Sequence, residues 1–317
     1  MIQESCAGGR LAVVGATGLL GWALVHEALA RYQVWGLARH PELVAGSCQT
    51  EAVDVLDGGS LDRLLERIAP DVVIHCAALT SVDLCEREPG MAEAINVQGT
   101  RNVLRAIGGH SCKFVLISTD AVFDGVRGEY TETDTPAPVN VYGRTKLEAE
   151  EVTLAARPDA LVVRTAFYGW NILPKESLGE WMVNRLRAGR EVPGFRDVRF
   201  SPLVAHQLAR LLLDLASTPA AGCLHLGSSE GCSKYEFARR LAITFGCPPQ
   251  LVVPVMSEAA GLVAPRPKDV TLSVSRAAGL LSRPLPGISE GLSEFLQSEP
   301  ALRGHARFPV TGEGSAV

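Results

Sequence analysis

The stretch Gly15-Ala-Thr-Gly18-Leu-Leu-Gly21 constrains this 317-residue chain more than any other. It sits between an apolar run (Leu11 to Gly15) that reads as a strand and a segment (Gly18 to Arg31) that reads as a helix. In that setting glycines permit a tight strand-to-helix turn and let backbone N–H groups approach a pyrophosphate at the helix N-terminus. Thr17, Leu19 and Leu20 lie inside the turn and join Gly15, Gly18 and Gly21 as candidate cofactor contacts.

The pattern that follows repeats. Gln33–Ala38 and Glu51–Asp54 read as strands, and Ser60 as the cap of a helix running to Ile68. Asp71–Ala77 is a solid apolar strand of the kind buried on both faces. Ala92–Ile107 reads as helix, Lys113–Thr119 as strand, Tyr142–Ala156 as helix and Ala160–Thr165 as strand. Alternating β and α segments predict an α/β fold with a parallel, doubly wound sheet.

After Thr165 the order loosens. Phe167 to Ser201 is broken by Gly and Pro, then Leu203–Ala216 reads as helix, Cys223–Leu226 as strand and Ser233–Phe245 as helix. Proline-rich pieces follow at Pro248-Pro249, Pro265-Arg-Pro267 and Pro284-Leu-Pro286. The expected division is a cofactor-binding domain mainly over residues 1–165, a smaller substrate lobe mainly over 166–296 covering the carboxyl edge of the sheet, and a mobile tail over 297–317.

Composition narrows the class. With 47% hydrophobic and 21% charged residues the chain is globular rather than disordered. A net charge of −5 argues against a general nucleic-acid binder. The segment Met1–Gly9 lacks the apolar core of a secretory signal, and no apolar run is long enough to span a bilayer, so no membrane partner is expected. Eight cysteines (6, 48, 76, 85, 112, 223, 232 and 247) show no C-x-x-C and no zinc-like spacing. They read as reduced, largely buried thiols of a cytoplasmic protein.

The second strand ends Gly36-Leu-Ala-Arg39-His40, without the acid that usually takes the ribose 2′-hydroxyl of NAD. Arg39 can pair with a 2′-phosphate through its guanidinium fork, which favours NADP(H). Asp54-Val55 can meet the adenine edge. Ala77, Ala78 and Thr80, after the fourth strand, offer small or polar contacts.

Tyr142-Gly-Arg-Thr-Lys146 places a phenol and an ammonium on one helix face. A free tyrosine is a poor acid–base catalyst near neutral pH, and a nearby cation stabilises its phenolate. Thr119, at the end of the fifth strand, is the third candidate, because Ser118 points the other way along an alternating strand. Together these residues point to a nicotinamide-dependent carbonyl reductase.

These residues resemble the extended short-chain dehydrogenase/reductase family over roughly Leu11 to Phe295. The match includes the glycine turn, Asn96-Val-Gln-Gly-Thr-Arg-Asn-Val103, Ser118-Thr-Asp120 and the Tyr142/Lys146 pair. Within that family the chain is most similar to the dTDP-4-dehydrorhamnose reductase group, through Ser118-Thr-Asp-Ala-Val-Phe-Asp-Gly125, Val141-Tyr-Gly-Arg-Thr-Lys146, Val163-Arg-Thr165 and Arg266-Pro267.

The resemblance implies a Rossmann-type domain holding NADP(H) and a C-terminal lobe binding a nucleotide-linked sugar. Hydride would move to the C4 ketone of a 4-keto-6-deoxysugar. Tyr142 would protonate the alkoxide, Lys146 would tune Tyr142 and hold the nicotinamide ribose, and Thr119 would hold the oxygen. Asn96 would support the lysine through a proton relay. Asp120, Phe123, Phe167, Trp170, Asn171 and Arg266 would meet the substrate, Arg266 at the nucleotide or its diphosphate. Extended members often pair through Rossmann helices, which implies a homodimer. Some relatives bind magnesium at such a contact, but no matching acidic set is recognised, and no metal is expected.

The stretch Arg164-Thr-Ala-Phe167-Tyr-Gly-Trp170 departs from the group, which places a Trp where Phe167 stands. Whether Trp170 and Trp181 line the pocket or pack the lobe stays open, as do the sugar, the nucleotide and the stereochemistry at C4. The resemblance leaves two other readings. One is a nucleotide-sugar 4-epimerase, which commonly holds NAD and so sits poorly with Arg39. The other is a non-catalytic, NADP-binding regulatory subunit of a methionine adenosyltransferase. A dehydratase is disfavoured because Asp120-Ala121 stands where such enzymes carry Asp-Glu.

Overall fold

The computed structural model describes residues 8–303 except Ala45, Ser47 and Pro174. The expectations for residues 1–7, including the Cys6 thiol, and for residues 304–317 of the tail lie outside the described residues.

The chain begins with β1 (Arg10–Val14), α1 (Leu19–Ala28), β2 (Gln33–Ala38), β3 (Gln49–Ala52), α2 (Gly58–Ile68) and β4 (Val72–His75). Next come α3 (Val82–Arg87), α4 (Pro89–Glu93), a π-helical turn (Ala94–Gln98), α5 (Gly99–Ala106) and β5 (Lys113–Ile117). A 3₁₀ turn (Asp120–Val122) precedes α6 (Val141–Ala156) and β6 (Leu161–Tyr168). The remainder is α7 (Leu178–Arg187), β7 (Val192–Phe195), β8 (Arg199–Phe200), β9 (Pro202–Val204), α8 (Ala205–Ala216), β10 (Gly222–Leu226), β11 (Cys232–Ser233), α9 (Lys234–Thr244), β12 (Val252–Val255), α10 (Ser275–Leu281) and α11 (Ile288–Arg303).

Seven parallel strands form the main sheet in the order β3-β2-β1-β4-β5-β6-β10, and β9 continues beside the end of β6. The strands are buried on both faces because each side is covered by helices. Leu11, Val13, Ile74, Val115 and Val163 face α1 and α8, where Leu24, Val25, Leu208 and Leu212 complete the layer. The alternate residues Ala12, Val14, Val73, Phe114 and Val162 face α2, α5 and α6, with Leu61, Leu65, Val103 and Ala149. The strand order reverses between β1 and β4, and in such sheets the crevice beyond the strand ends at this point is where ligands bind.

Several boundaries differ from expectation. Asp57, not Ser60, caps α2, and its Oδ1 accepts the Ser60 N–H at 3.0 Å. Helix α1 stops at Ala28 because residues 29–32 turn back toward β2. The irregular stretch after Thr165 contains α7, started by a reciprocal capping box between Ser177 and Glu180. The sheet crosses the expected domain division, since β10 lies alongside β6. The tail expected from residue 297 is instead helical to Arg303. There Arg187 grips Glu299 with two hydrogen bonds, at 2.5 and 2.8 Å. Among the described residues all seven cysteines are free. No described helix is long and apolar enough to cross a membrane.

Candidate active site

The glycine turn closes tightly over the sheet. Gly15 adopts φ +89°, a left-handed conformation that costs glycine little, and both its N–H and that of Ala16 reach the Leu37 carbonyl. A Cβ on Gly15 would meet the Ala77 nitrogen at 2.6 Å, so this glycine also lets the β1 and β4 ends touch. A Cβ on Gly21 would lie 2.1 Å from the Gly15 carbonyl oxygen, so Gly21 serves helix-to-turn packing. Gly18 opens α1 with no side-chain cap and no acid in the first turn, which leaves its N-terminus suited to an anion. Thr17 and Leu19 sit half-buried at the rim, whereas the Leu20 side chain is core, so only its backbone can serve a ligand.

Around the expected adenosine side, Arg39 is exposed just past β2. Asp54 is half-buried and its carboxylate accepts the Leu56 N–H. Val55 is buried against the α5 start, where a Cβ on Gly99 would lie 2.8 Å from it, and its carbonyl accepts from Asn102. Its side chain packs against the start of α5. Ala77 and Ala78 are half-buried at the β4 end. Thr80 is exposed, and its hydroxyl accepts from Lys175 on the loop before α7.

Asn96 lies in the π-helical turn and is buried. Its Oδ1 accepts the Leu79 N–H at 2.7 Å, and its Nδ2 donates to the Leu79 carbonyl and to Thr145 Oγ1. The side chain thus fixes the chain after β4 to the catalytic helix. Lys146 Nζ itself donates to the Ile117 carbonyl at 2.7 Å.

The catalytic candidates converge at the ends of β5 and α6. Asn140 caps α6, and Gly143 allows the helix start to lie against the 3₁₀ turn, where a Cβ would stand 2.3 Å from the Ala121 carbonyl oxygen. That close approach brings the Tyr142 hydroxyl beside the Thr119 side chain. Thr119 Oγ1 also donates to Asp120 and accepts the Ala121 N–H. Ser118 points the other way, as strand alternation predicts, and donates to Glu150 Oε1 at 2.5 Å within a buried Glu150–Arg164 pair.

Electrostatics separates the roles. Burial, with the Asp120 carboxylate adding to it, pushes the Tyr142 phenol well above its ordinary value, so it carries its proton. The expected lowering by Lys146 is not seen, the groups that move this phenol being its burial, Thr119, Asp120 and Cys85. Burial pulls Lys146 down to about 8, opposed by Glu150. Asp120 is pushed up to about 6 by burial, opposed by the Thr119 hydroxyl and by Lys234. Burial drives the neighbouring Cys76 thiol up to about 12, so it is no nucleophile.

The substrate side is partly as expected. Arg266 is buried and bridges Asp83 Oδ1 at 3.1 Å and the Ala264 carbonyl at 2.9 Å. Phe167 is half-buried at the end of β6. Three expected contacts are displaced. Phe123 is fully buried, stacked on Tyr130 at 4.2 Å and crossed by Arg164 at 5.1 Å, so it is a core residue. Trp170 stacks on Phe295 at 4.4 Å and donates its N–H to the Phe295 carbonyl, which spends both its face and its polar edge on packing. Asn171 uses its side chain on Leu173 and its N–H on Glu180, within the loop. Trp181 is half-buried against the same core with Arg185 over its ring.

Sequence reasoning missed Asn140, Gly143 and Lys234. The first has a legible signal, an Asn directly before a helix. The others have none, since the close contact at Gly143 and the burial of Lys234 both come from distant chain segments. Among the described residues no group of three or more His, Cys, Asp or Glu side chains is arranged to hold a metal ion.

A doubly wound sheet, a glycine turn at its switch point and a Thr-Tyr-Lys set at the strand ends define an oxidoreductase of the short-chain dehydrogenase/reductase type. More narrowly, residues 9–300 match the RmlD substrate binding domain family, and the chain belongs to it. It is 32% identical to the probable low-salt glycan biosynthesis reductase Agl14 of Haloferax volcanii, covering 89% of this chain and 95% of that one. It is 34% identical to the dTDP-4-dehydrorhamnose reductase of Mycolicibacterium smegmatis, covering 90% and 84%. It is also 30% identical to methionine adenosyltransferase 2 subunit beta of Rattus norvegicus, covering 90% and 88%. Among solved structures, dTDP-4-dehydrorhamnose reductase of Bacillus anthracis in complex with NADP superposes with a TM-score of 0.83 at 29% identity, over 92% of this chain and 99% of that one.

Proposed function

We propose that this chain is an NADP(H)-dependent reductase of a nucleotide-linked 4-keto-6-deoxysugar. The observation that carries the reading is the meeting of the Tyr142 and Thr119 side chains where the end of β5 meets the start of α6, with buried Lys146 one helical turn along. A carbonyl oxygen placed between the two hydroxyls would be polarised by both, and a phenol that holds its proton is the acid that reduction requires.

The residues present fit the cofactor. The bare N-terminus of α1 and the Gly15–Gly21 turn would take the diphosphate, and Arg39 the 2′-phosphate. Lys146 and Tyr142 would hold the nicotinamide ribose. NADPH supplies the hydride when bound. Tyr142 then delivers the proton at the forming alkoxide, while Thr119 keeps that oxygen in line.

The test is NADPH oxidation with a panel of nucleotide-linked 4-keto-6-deoxysugars, with NADH in parallel. Turnover with NADPH and one sugar supports the reading. The identity to methionine adenosyltransferase 2 subunit beta favours a second reading, a binding subunit that needs no turnover. Tight NADPH binding without oxidation across the panel, and co-purification with a synthetase, would support that one instead.

A further inference from the structure

Helix α6 carries Tyr142, Lys146 and Glu150 at successive turns of one face. Each meets the end of β5. Tyr142 lies beside Thr119, Lys146 Nζ donates to the Ile117 carbonyl at 2.7 Å, and Glu150 Oε1 accepts the Ser118 hydroxyl at 2.5 Å. The rest of the Glu150 carboxylate is taken by Arg164 on β6. Its Nε donates to both carboxylate oxygens, at 3.0 and 3.1 Å, and its Nη2 donates to Oε2 at 2.6 Å.

Arg164 extends this grip past Thr119. Its guanidinium lies over the Phe123 ring, 5.1 Å from the centroid. Phe123 closes the 3₁₀ turn that the Thr119 side chain caps. The Ser118 N–H, in turn, donates to the carbonyl of Val163, the residue before Arg164, at 2.7 Å. One buried ion pair therefore holds the chain on both sides of Thr119, at Ser118 before it and at Phe123 beyond its turn.

As a source of stability the pair is poor. The Arg164 and Glu150 side chains are only 5% and 2% exposed, so both charges have given up their hydration. Arg164 Nη1 is buried and has no hydrogen-bond partner among the described residues. Apolar residues of similar volume can often replace a buried ion pair without loss of stability, and an unpaired buried N–H adds a further cost. What a charged fork supplies and apolar packing does not is fixed direction.

We infer that the Glu150–Arg164 pair, acting through Ser118 and Phe123, aligns Thr119 for catalysis, so that Glu150, Arg164 and Ser118 are positioning residues of the reaction. The inference rests on the reductase reading above, in which the Thr119 hydroxyl holds the reacting oxygen. Its signature is a loss in turnover without a matching loss in binding or stability.

The test is steady-state kinetics of the full chain with NADPH and the nucleotide-linked 4-keto-6-deoxysugar that the wild type reduces, beside NADPH titration and thermal unfolding. The double variant Glu150→Met/Arg164→Met replaces the pair with apolar side chains and strands neither charge. It is expected to melt near the wild type and to hold NADPH equally well. Its kcat should fall about 10- to 100-fold with little change in KM for the sugar, the scale of a displacement of about 1 Å at a reacting group. Ser118→Ala keeps the ion pair and cuts its link to β5, and should lose up to about tenfold in kcat. A folded double variant with the kcat of the wild type would overturn the inference and leave the pair a packing feature. If the double variant does not fold, an unchanged kcat in Ser118→Ala would overturn it instead. Equal losses in kcat and NADPH affinity would also overturn it, because the whole site would then have been disturbed. A wild type that binds NADPH and reduces none of the sugars would overturn the reductase reading and this inference with it.

Discussion

Asn140 and Pro265 join the catalytic helix to the substrate-side loop. The Asn140 carboxamide accepts the Gly143 N–H at 2.8 Å and donates to the Pro265 carbonyl at 3.0 Å, so one buried side chain both starts α6 and anchors the residue before Arg266. Asn140→Ala removes the cap and orphans the Pro265 carbonyl. Loss of a cap alone costs about 1 kcal/mol. A lower melting temperature is expected, together with a rise in KM for the sugar larger than any change in NADPH affinity. Steady-state kinetics beside thermal unfolding reads this directly. An unchanged KM would show that the loop keeps its place without the anchor.

Gly21 is held by a contact rather than by its dihedral angle. A methyl group there would sit 2.1 Å from the Gly15 carbonyl oxygen and 2.8 Å from the Ala16 Cα, both backbone atoms that cannot rotate away. Gly21→Ala therefore has to push α1 off the sheet or deform the turn. Overpacking of this kind costs about 1–3 kcal/mol. NADPH affinity is expected to fall as well, since the turn and the helix N-terminus move together. Denaturant unfolding and NADPH titration check the two effects, and a variant as stable as wild type would show that the helix shifts freely.

The end of β2 carries exposed Arg39 and no acid within the strand's last residues. Arg39→Asp replaces a partner for a 2′-phosphate with one for a 2′-hydroxyl. The ratio of kcat/KM for NADPH over NADH is expected to drop by at least about tenfold, the scale of one charge-assisted contact. If the ratio stays as it was, Arg39 does not reach the cofactor.

How far the sequence reveals this molecule differs between its parts. The parallel, doubly wound sheet and the glycine turn are legible because short β-branched runs alternate with helical periods. Thr119 is legible over Ser118 because side chains alternate along a strand, and the Ser118 hydrogen bond to Glu150 shows the alternation. Phe123, Trp170 and Val55 pack against their neighbours for a common reason. Each has the composition of a binding-site residue, and only tertiary neighbours from distant segments (Tyr130, Phe295 and Gly99) decide that it is core. Lys234 is hidden for the opposite reason, since a lysine at a helix start reads as solvated until Phe195 is seen beneath it. The closing of α6 onto the Asp120 turn through Gly143 carries no local signature at all.

Tyr142→Phe keeps the ring and deletes the acid. Burial keeps the Tyr142 phenol protonated, which suits a donor in reduction. Removing a positioned acid typically costs about 10²–10⁴-fold in rate. The variant is expected to lose kcat on that scale while holding NADPH nearly as tightly as wild type. Single-turnover measurement of NADPH oxidation separates the two, and near-normal kcat would move the proton donor elsewhere.

Asp120 and Lys234 predict how the site responds to pH. Asp120, an acid whose ordinary value is 3.8, is pushed up to about 6, and Lys234 is pulled down to about 8. For Asp120 the proton stays on in the folded state while the unfolded chain has already released it. Stability contributed at this position therefore falls as pH rises from about 4 to about 6 and is flat beyond. Asp120→Asn should become progressively more stable relative to wild type across that interval, by up to about 3 kcal/mol. Parallel denaturation curves would remove Asp120 as the titrating group. For Lys234 the sign is reversed. Between about 8 and about 10 the unfolded state binds the extra proton, so stability at this position rises with pH while the ammonium is lost.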